Sequence, residues 1–217
     1  MMRYTTIFFD LDDTLYTSNN GLWDAIGARM NRYMVERVGL PEGEVHLLRR
    51  HYFETYGTTL RGLQRHHKVD SDDYLAFVHD LRLRDYLQPE PELRHLLLSL
   101  PQRCWIFTNA DSDHAKRVIT ILGLVECFNG IIDVKAMGFA CKPEVEAYQR
   151  ALFLAGSPAP EECVLIDDSY LNLKAARDLG MMTILVRSDA NEHPAATYSI
   201  PNLAVLRRTV PILWEAY

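Results

Sequence analysis

Several absences bound what this chain can be. No apolar run approaches the roughly 20 residues that a membrane helix needs, so no membrane span is expected. The opening Met-Met-Arg-Tyr-Thr-Thr carries no apolar stretch of the secretory kind, and a cytoplasmic location is expected. Basic residues are in deficit: 23 Lys and Arg stand against 29 Asp and Glu, a net charge of −6. That balance argues against a nucleic-acid polymer or an anionic membrane surface as partner. It leaves a small phosphorylated metabolite open, because cations inside one site outweigh distant net charge. Cysteine is scarce. Cys104, Cys127, Cys141 and Cys163 form no CxxC pair, and two of them fall in strand-like runs. They read as free buried thiols of a reducing compartment, and without a Cys/His cluster zinc is not expected. There is no internal repeat and no low-complexity segment, and oligomeric state leaves no signal.

What is present is ordinary globular composition: 217 residues, 48% hydrophobic and 24% charged. Apolar runs at 5–11, 104–109, 130–133, 163–167 and 183–187 predict five strands. IFF, WIF and VLI are apolar on consecutive positions, as in strands buried on both faces of a parallel sheet. Helical patterns separate them at 113–122, 144–155 and 170–179, closed by Gly123, Gly156 and Gly180. This alternation predicts a doubly wound parallel α/β sheet. From 16 to 89 no strand pattern appears. Helices are predicted there at 21–38, 42–56 and 72–83. The stretch is far longer than a usual connection of roughly 2–6 residues, so an inserted all-helical cap is expected at 16–89, with the core at 1–15 and 90–217. The tail at 203–214 predicts a helix broken near Pro211.

Four short stretches carry chemistry. Asp10-Leu11-Asp12-Asp13-Thr14 closes the first strand, at the sheet edge where open α/β folds bind ligands. Residues i and i+2 face the same way on an extended chain, so Asp10 and Asp12 point together and repel unless a proton or a cation intervenes. Alone, such a pair reads equally as a turn or a helix cap. Thr108-Asn109 closes the second strand, where a hydroxyl can serve an anion or merely make a turn. Lys142-Pro143 precedes a helix, whose N–H groups and positive dipole end face whatever Lys142 faces; a surface lysine is the plain alternative. Asp167-Asp168-Ser169 ends the fourth strand with two consecutive acids that packing does not explain. With Asp10 and Asp12 they form an oxygen-rich set of the hardness Mg²⁺ prefers.

In conjunction, these four stretches resemble the motifs of the haloacid dehalogenase superfamily of phosphohydrolases, over nearly the whole chain. The resemblance implies that Asp10 is the nucleophile and Asp12 the general acid and then base. It implies that Lys142 steadies Asp10, and that Thr108, Asn109 and Lys142 hold the phosphoryl group. Mg²⁺ would bind Asp10, the Asp12 backbone carbonyl and Asp168, with Asp167 direct or through water. Ser169 and Asn172 would support those acids, Asp13 would be structural and Thr14 would fix the loop. Asp12 also argues against dehalogenation, since a halide leaving group needs no proton.

Phe9 to Tyr16 with Gly21-Leu22, then Tyr56-Gly57-Thr58-Thr59-Leu60-Arg61-Gly62-Leu63, Tyr74, Phe77-Val78-His79, and Phe107 to Asp111 with His114-Ala115, resemble the pyrimidine 5′-nucleotidase branch of yeast and plants. This implies hydrolysis of a nucleoside 5′-monophosphate such as UMP or CMP, with Tyr56, Gly57, Thr58 and Thr59 against the substrate. The same four residues also read as a capped helix start. Residues 134–141 depart from the branch, being shorter and less polar. Other readings are a phosphatase of a sugar phosphate or phosphoglycolate, a phosphomutase using Arg61 and Arg65, and a non-enzymatic interaction protein, against which the full set of acids argues. His66, His67 and His95 read as surface residues, and His114 as one at the site's edge.

Overall fold

The computed structural model describes residues 3–17, 20–189 and 193–215. Six parallel strands form one sheet in the order β3-β2-β1-β4-β5-β6. They are β1 (Thr6–Phe9), β2 (Arg103–Phe107), β3 (Gly130–Ile132), β4 (Cys163–Asp167), β5 (Met182–Val186) and β6 (Tyr198–Ile200). β1 is central, with Phe9 in register with Ile106 of β2 on one side and Ile166 of β4 on the other. Chain order reverses there, and the crevice at the carboxyl ends of β1 and β4 is where such a sheet places a ligand. The consecutive apolar residues have their expected cause. Ile7 and Phe9 join one core with Val164 and Ile166, while Phe8 joins the other with Leu165. Both faces are therefore buried, and all four cysteines lie inside as free thiols.

Between β1 and β2 the chain is helical: α1 (Leu22–Glu36), α2 (Glu42–Tyr56), α3 (Thr59–His66), α4 (Ser71–His79) and α5 (Pro91–Leu98). α1 packs on α2 and α4, and α2 on α3. Tyr33, Met34, Val45, Tyr52, Leu63 and Tyr74 of these helices share the core that contains Phe8 and Phe107. After β2 come α6 (Ser112–Leu122), α7 (Val145–Leu154), α8 (Tyr170–Asp178) and α9 (Leu206–Thr209). Asp111 caps α6 and Ser169 caps α8, and α6 stops at the left-handed Gly123.

Four differences from the sequence reading have local causes. β6 adds a sixth strand. Its three residues, Tyr-Ser-Ile, are too short to show a period, and β5 supplies the pairing that makes them a strand. α3 and α5 are eight-residue helices that the pattern did not separate. The helix expected at 72–83 stops at His79, after which a 3₁₀ turn spans Leu83–Asp85. α7 begins at Val145, so Pro143 lies in the preceding turn, joined to Lys142 by a cis peptide bond, and is not its first residue. The tail is split at Val210, with 3₁₀ turns Leu203–Val205 and Pro211–Trp214 flanking α9. No helix among the described residues is long and apolar enough to cross a membrane.

Candidate active site

The carboxyl ends of β1 and β4 bring Asp10, Asp167 and Asp168 together, with carboxylate oxygens within 4.8 Å of one another. Lys142 reaches them from the turn before α7. Its Nζ donates to Asp10 Oδ1 at 2.7 Å and to Asp167 Oδ2 at 2.7 Å, and its side chain is 1% exposed. Burial alone would push this ammonium down, but the two carboxylates override it and hold Lys142 well above the ordinary lysine range. Asp10 is pushed up to about 7, chiefly by burial and with Asp167 and Asp12 adding repulsion, although Lys142 opposes the shift. Asp168 is pushed up to about 8 by burial and by repulsion from Asp167, Asp10 and Asp13. One ammonium therefore stands among three clustered acids, Asp10 and Asp167 buried on it and Asp168 half-buried beside them, which is a deficit of local positive charge.

The supports divide the acids by role. Both oxygens of Asp167 are engaged: Asn172 Nδ2 donates to Oδ1 at 3.0 Å and to Oδ2 at 3.1 Å, and the Ser169 N–H donates to Oδ1 at 2.8 Å. Asp168 accepts no hydrogen bond within the described residues, so its oxygens stay available. Thr14, expected only to fix the loop, donates to Asp10 Oδ2 at 3.3 Å. Asp13 adopts a left-handed φ of 62°, and its Oδ1 is buried without a partner.

Asp12 lies in different company. Its Oδ1 accepts from the Tyr16 hydroxyl and from His114 Nε2 at 3.0 Å. Burial pushes its carboxyl up, but His114 and Tyr16 more than reverse this and leave it below the ordinary carboxylate range. Asp10 and Asp12 are thus adjacent in sequence yet electrostatically separate, one on an ammonium and one on neutral donors and a histidine.

A cavity of about 550 Å³ opens over these groups and is lined by Asp10, Asp12, Thr108, Lys142 and Asp168 from the sheet edge. Its far wall is helical and includes Trp23, Arg49, Phe53 and Tyr74. A larger open groove of about 1100 Å³ runs from Asp13 and Asp168 along α5. It contains neither Asp10 nor Lys142, so the chemistry belongs to the smaller cavity.

The remaining expected residues fall in distinct places. Thr108 lines the cavity, and its Oγ1 accepts from the Ala110 N–H at 3.0 Å, leaving its own proton to donate. Asn109 lines it too, but its amide clamps the Lys142 backbone, accepting from the N–H at 2.8 Å and donating to the carbonyl at 3.0 Å. Its side chain therefore positions the lysine. Gly57 has φ 81°, and a Cβ there would sit 2.9 Å from the Lys142 carbonyl. Gly57, Thr58 and Thr59 all line the cavity; the Thr58 hydroxyl also accepts from the Arg61 N–H as the cap of α3. Tyr56 does not line the cavity; its hydroxyl meets His66 Nε2 at 2.7 Å. Arg61 pairs with Glu144, and Arg65 does not line the cavity either.

Tyr16 and His79 stand in the sequence reading only as parts of the resemblance, with no role assigned, Arg49 is not singled out there, and His114 is placed only at the site's edge. Tyr16 had a signal, standing four residues after Asp12, and His114 another, three residues after the Asp111 that caps its helix. Arg49 had none, because a lone arginine on an amphipathic helix reads as an ordinary surface residue, and its place between the buried Val45 and Tyr52 emerges only in the fold.

A family model described as haloacid dehalogenase-like hydrolase matches residues 4–180. The chain is 30% identical over 188 residues to Phosphate metabolism protein 8 of Saccharomyces cerevisiae, covering 80% of this chain and 59% of that protein. It therefore spans less than two thirds of that relative's length. Among solved structures it is similar to CbbY from Rhodobacter sphaeroides in complex with phosphate, with TM-score 0.66 and 20% identity over 95% of this chain and 96% of that one. It is also similar to the HAD-hydrolase YfnB from Bacillus subtilis bound to magnesium, with TM-score 0.62 and 20% identity over 95% and 98% of the two chains. The family match runs from β1 through α8 and encloses every member of the acid–lysine cluster, and the chain belongs to the haloacid dehalogenase-like hydrolases.

Proposed function

We propose that the protein is a Mg²⁺-dependent phosphomonoester hydrolase that works through an aspartyl-phosphate on Asp10, with residues 16–89 as a cap over an α/β core. One observation carries this reading. Two carboxylates two residues apart occupy opposed environments, Asp10 on Lys142 and Asp12 on His114 and Tyr16. An ammonium on Asp10 suits a carboxylate nucleophile, whereas Asp12 has one oxygen held by two donors and lines the cavity with the other without a partner, as a proton carrier requires.

Asp10 attacks phosphorus. The new bond joins its carboxylate oxygen to phosphorus as the ester P–O bond breaks, and the bonding pair leaves with the alkoxide oxygen. Asp12 gives that oxygen its proton, a contribution of about 10²–10⁴-fold. The Asp12 carboxylate then takes a proton from water as the water attacks phosphorus, and the Asp10–phosphorus bond breaks to release inorganic phosphate. Lys142 holds Asp10 throughout and faces the phosphoryl oxygens with Thr108. Arrival of a phosphate dianion beside Asp12 raises its proton affinity, which offsets the downward bias of the free site.

The donor set suits Mg²⁺. It is all carboxylate oxygen, largely buried, short of positive charge, and Asp10 and Asp168 retain oxygens to offer. When bound, the ion supplies the charge neutralisation that lets a carboxylate approach a phosphate. Asp167 fits as the acid that steadies Lys142, with Ser169 and Asn172 steadying Asp167 in turn.

A nucleoside 5′-monophosphate, pyrimidine first, is the favoured substrate class. The cavity accommodates more than a phosphate, and its helical wall carries Trp23 and Phe53, 41% and 51% exposed. Exposed rings beside a phosphate site suit a planar base. Arg49, half-buried in the same wall, has no ion-pair partner among the described residues. The test is phosphate release across nucleotides, sugar phosphates and phosphoglycolate, with Mg²⁺ and with EDTA. Pyrimidine monophosphates should lead and EDTA should abolish turnover. A best substrate without a base overturns the nucleotide assignment, and unaltered activity in Asp10→Asn overturns the mechanism.

A further inference from the structure

Three side chains, His114, His79 and Asp111, run in line behind the proton donor Asp12, and the mechanism above gives none of them a step. Asp111, at the start of α6, caps that helix by accepting the His114 N–H at Oδ1, 2.8 Å away. Its other oxygen lies 2.9 Å from His79 Nδ1. The His79 ring stacks on the His114 ring, with centroids 4.2 Å apart and planes 19° from parallel. His114 Nε2 then meets Asp12 Oδ1. The His114 side chain is wholly buried, and its Nδ1 has no partner. The hydrogen that His114 donates therefore sits on Nε2. Tyr16 donates to the same Asp12 oxygen. With two donors on Oδ1, a proton carried by Asp12 belongs on Oδ2, the oxygen without a partner in a side chain that lines the cavity.

The line also crosses from one part of the chain to another. His79 is the last residue of α4, whereas Asp111 and His114 belong to the sheet's α6. Arg117 of α6 fixes the same end of α4, donating to the His79 carbonyl at 2.9 Å and to the Leu81 carbonyl. We propose that Tyr16 and His114 are positioning residues that lock Oδ1 of Asp12 and aim its proton-bearing Oδ2 at the leaving oxygen, and that His79 makes this lock depend on α4 being seated against α6. In the first half-reaction the proton leaves Oδ2 as the P–O bond breaks, and the carboxylate that remains keeps both donors on Oδ1. The acid is thus aligned only in the seated arrangement, and chemistry is withheld when α4 is displaced.

This rests on the phosphatase reading, with Asp12 as the acid, and leaving-group dependence separates the two. p-Nitrophenyl phosphate releases a stable anion and needs little help from an acid, whereas a nucleoside monophosphate releases an alkoxide and needs it. His114→Ala, Tyr16→Phe and His79→Ala are assayed on both, with His114→Gln, which keeps an N–H at similar reach. On the nucleotide, kcat is expected to fall about 10–100-fold in His114→Ala and His79→Ala, the scale of a misplaced catalytic group, with KM little changed. On p-nitrophenyl phosphate the fall should be a few-fold, and His114→Gln should recover most of the loss. Equal losses on both substrates, a loss confined to KM, or no recovery in His114→Gln overturns the positioning role. A normal His79→Ala beside an impaired His114→Ala overturns the dependence on α4. Should His114→Ala fail to fold, Tyr16→Phe carries the same comparison. No hydrolysis of any ester by the unmodified protein is instead a failure of the phosphatase reading.

Discussion

Removing Mg²⁺ should make stability fall as pH rises, and binding it should flatten the profile. Asp10 and Asp168 both ionise near 3.8 when free, and the fold raises them to about 7 and about 8. A raised folded-state value means that the folded chain holds a proton the unfolded chain has already lost. The stability this contributes is complete below about pH 4 and is lost as pH climbs through the raised values. Between pH 5 and 7, Asp10 alone accounts for a loss of about 3 kcal/mol, at about 1.4 kcal/mol per pH unit. In a chain of this size each kcal/mol moves Tm by about 2–4 °C, so Asp10 alone should take about 6–12 °C from the metal-free protein between pH 5 and 7, with Asp168 adding to the loss up to pH 8. A cation held by the two carboxylates favours their charged forms and removes that loss. Thermal melts at pH 5, 7 and 8, in EDTA and in saturating Mg²⁺, measure it. Asp168→Asn should flatten the EDTA profile in part. A metal-free Tm that ignores pH, or a Mg²⁺ stabilisation as large at pH 5 as at pH 8, refutes the reasoning.

Lys142→Met leaves two buried carboxylates without their shared cation, and should cost about 3–5 kcal/mol at pH 8 by denaturant titration, with turnover abolished. Gly57→Ala forces a side chain onto a left-handed residue and against the Lys142 carbonyl; a loss of about 1–2 kcal/mol from the backbone alone should appear in melts, together with lowered kcat. Asn172→Ala strips Asp167 of a donor to both oxygens and should weaken Mg²⁺ affinity about 10–100-fold by isothermal titration.

The sheet and its site were readable because their signals are local. Consecutive apolar residues mark β1 and β4, and the acids follow directly where each strand ends. The loss of β6 from the sequence reading is as physical: Tyr198, Ser199 and Ile200 become a strand only through β5. The cap-side residues were harder to place. Thr58 offered two readings in the sequence, and the structure has it lining the cavity while its hydroxyl accepts from the Arg61 N–H at the start of α3. The Tyr56 hydroxyl meets His66, ten residues on at the end of α3, a contact that no local pattern announces. Asn109, expected at the phosphate, lines the cavity, and its side-chain amide also clamps the Lys142 peptide 33 residues away, which no local signal announces. The His79–His114 stack joins residues 35 positions apart in two helices, and only the packing of α4 on α6 brings it into being.

The most direct test of the central claim is to trap the covalent intermediate. The protein is quenched in acid during turnover of a good substrate, treated with borohydride, and sequenced by mass spectrometry. Reduction of an aspartyl-phosphate converts the aspartate to homoserine, and the expected result is that conversion at Asp10, dependent on substrate and absent from Asp10→Asn. Conversion at another acid, or none at all while phosphate is released, would contradict it.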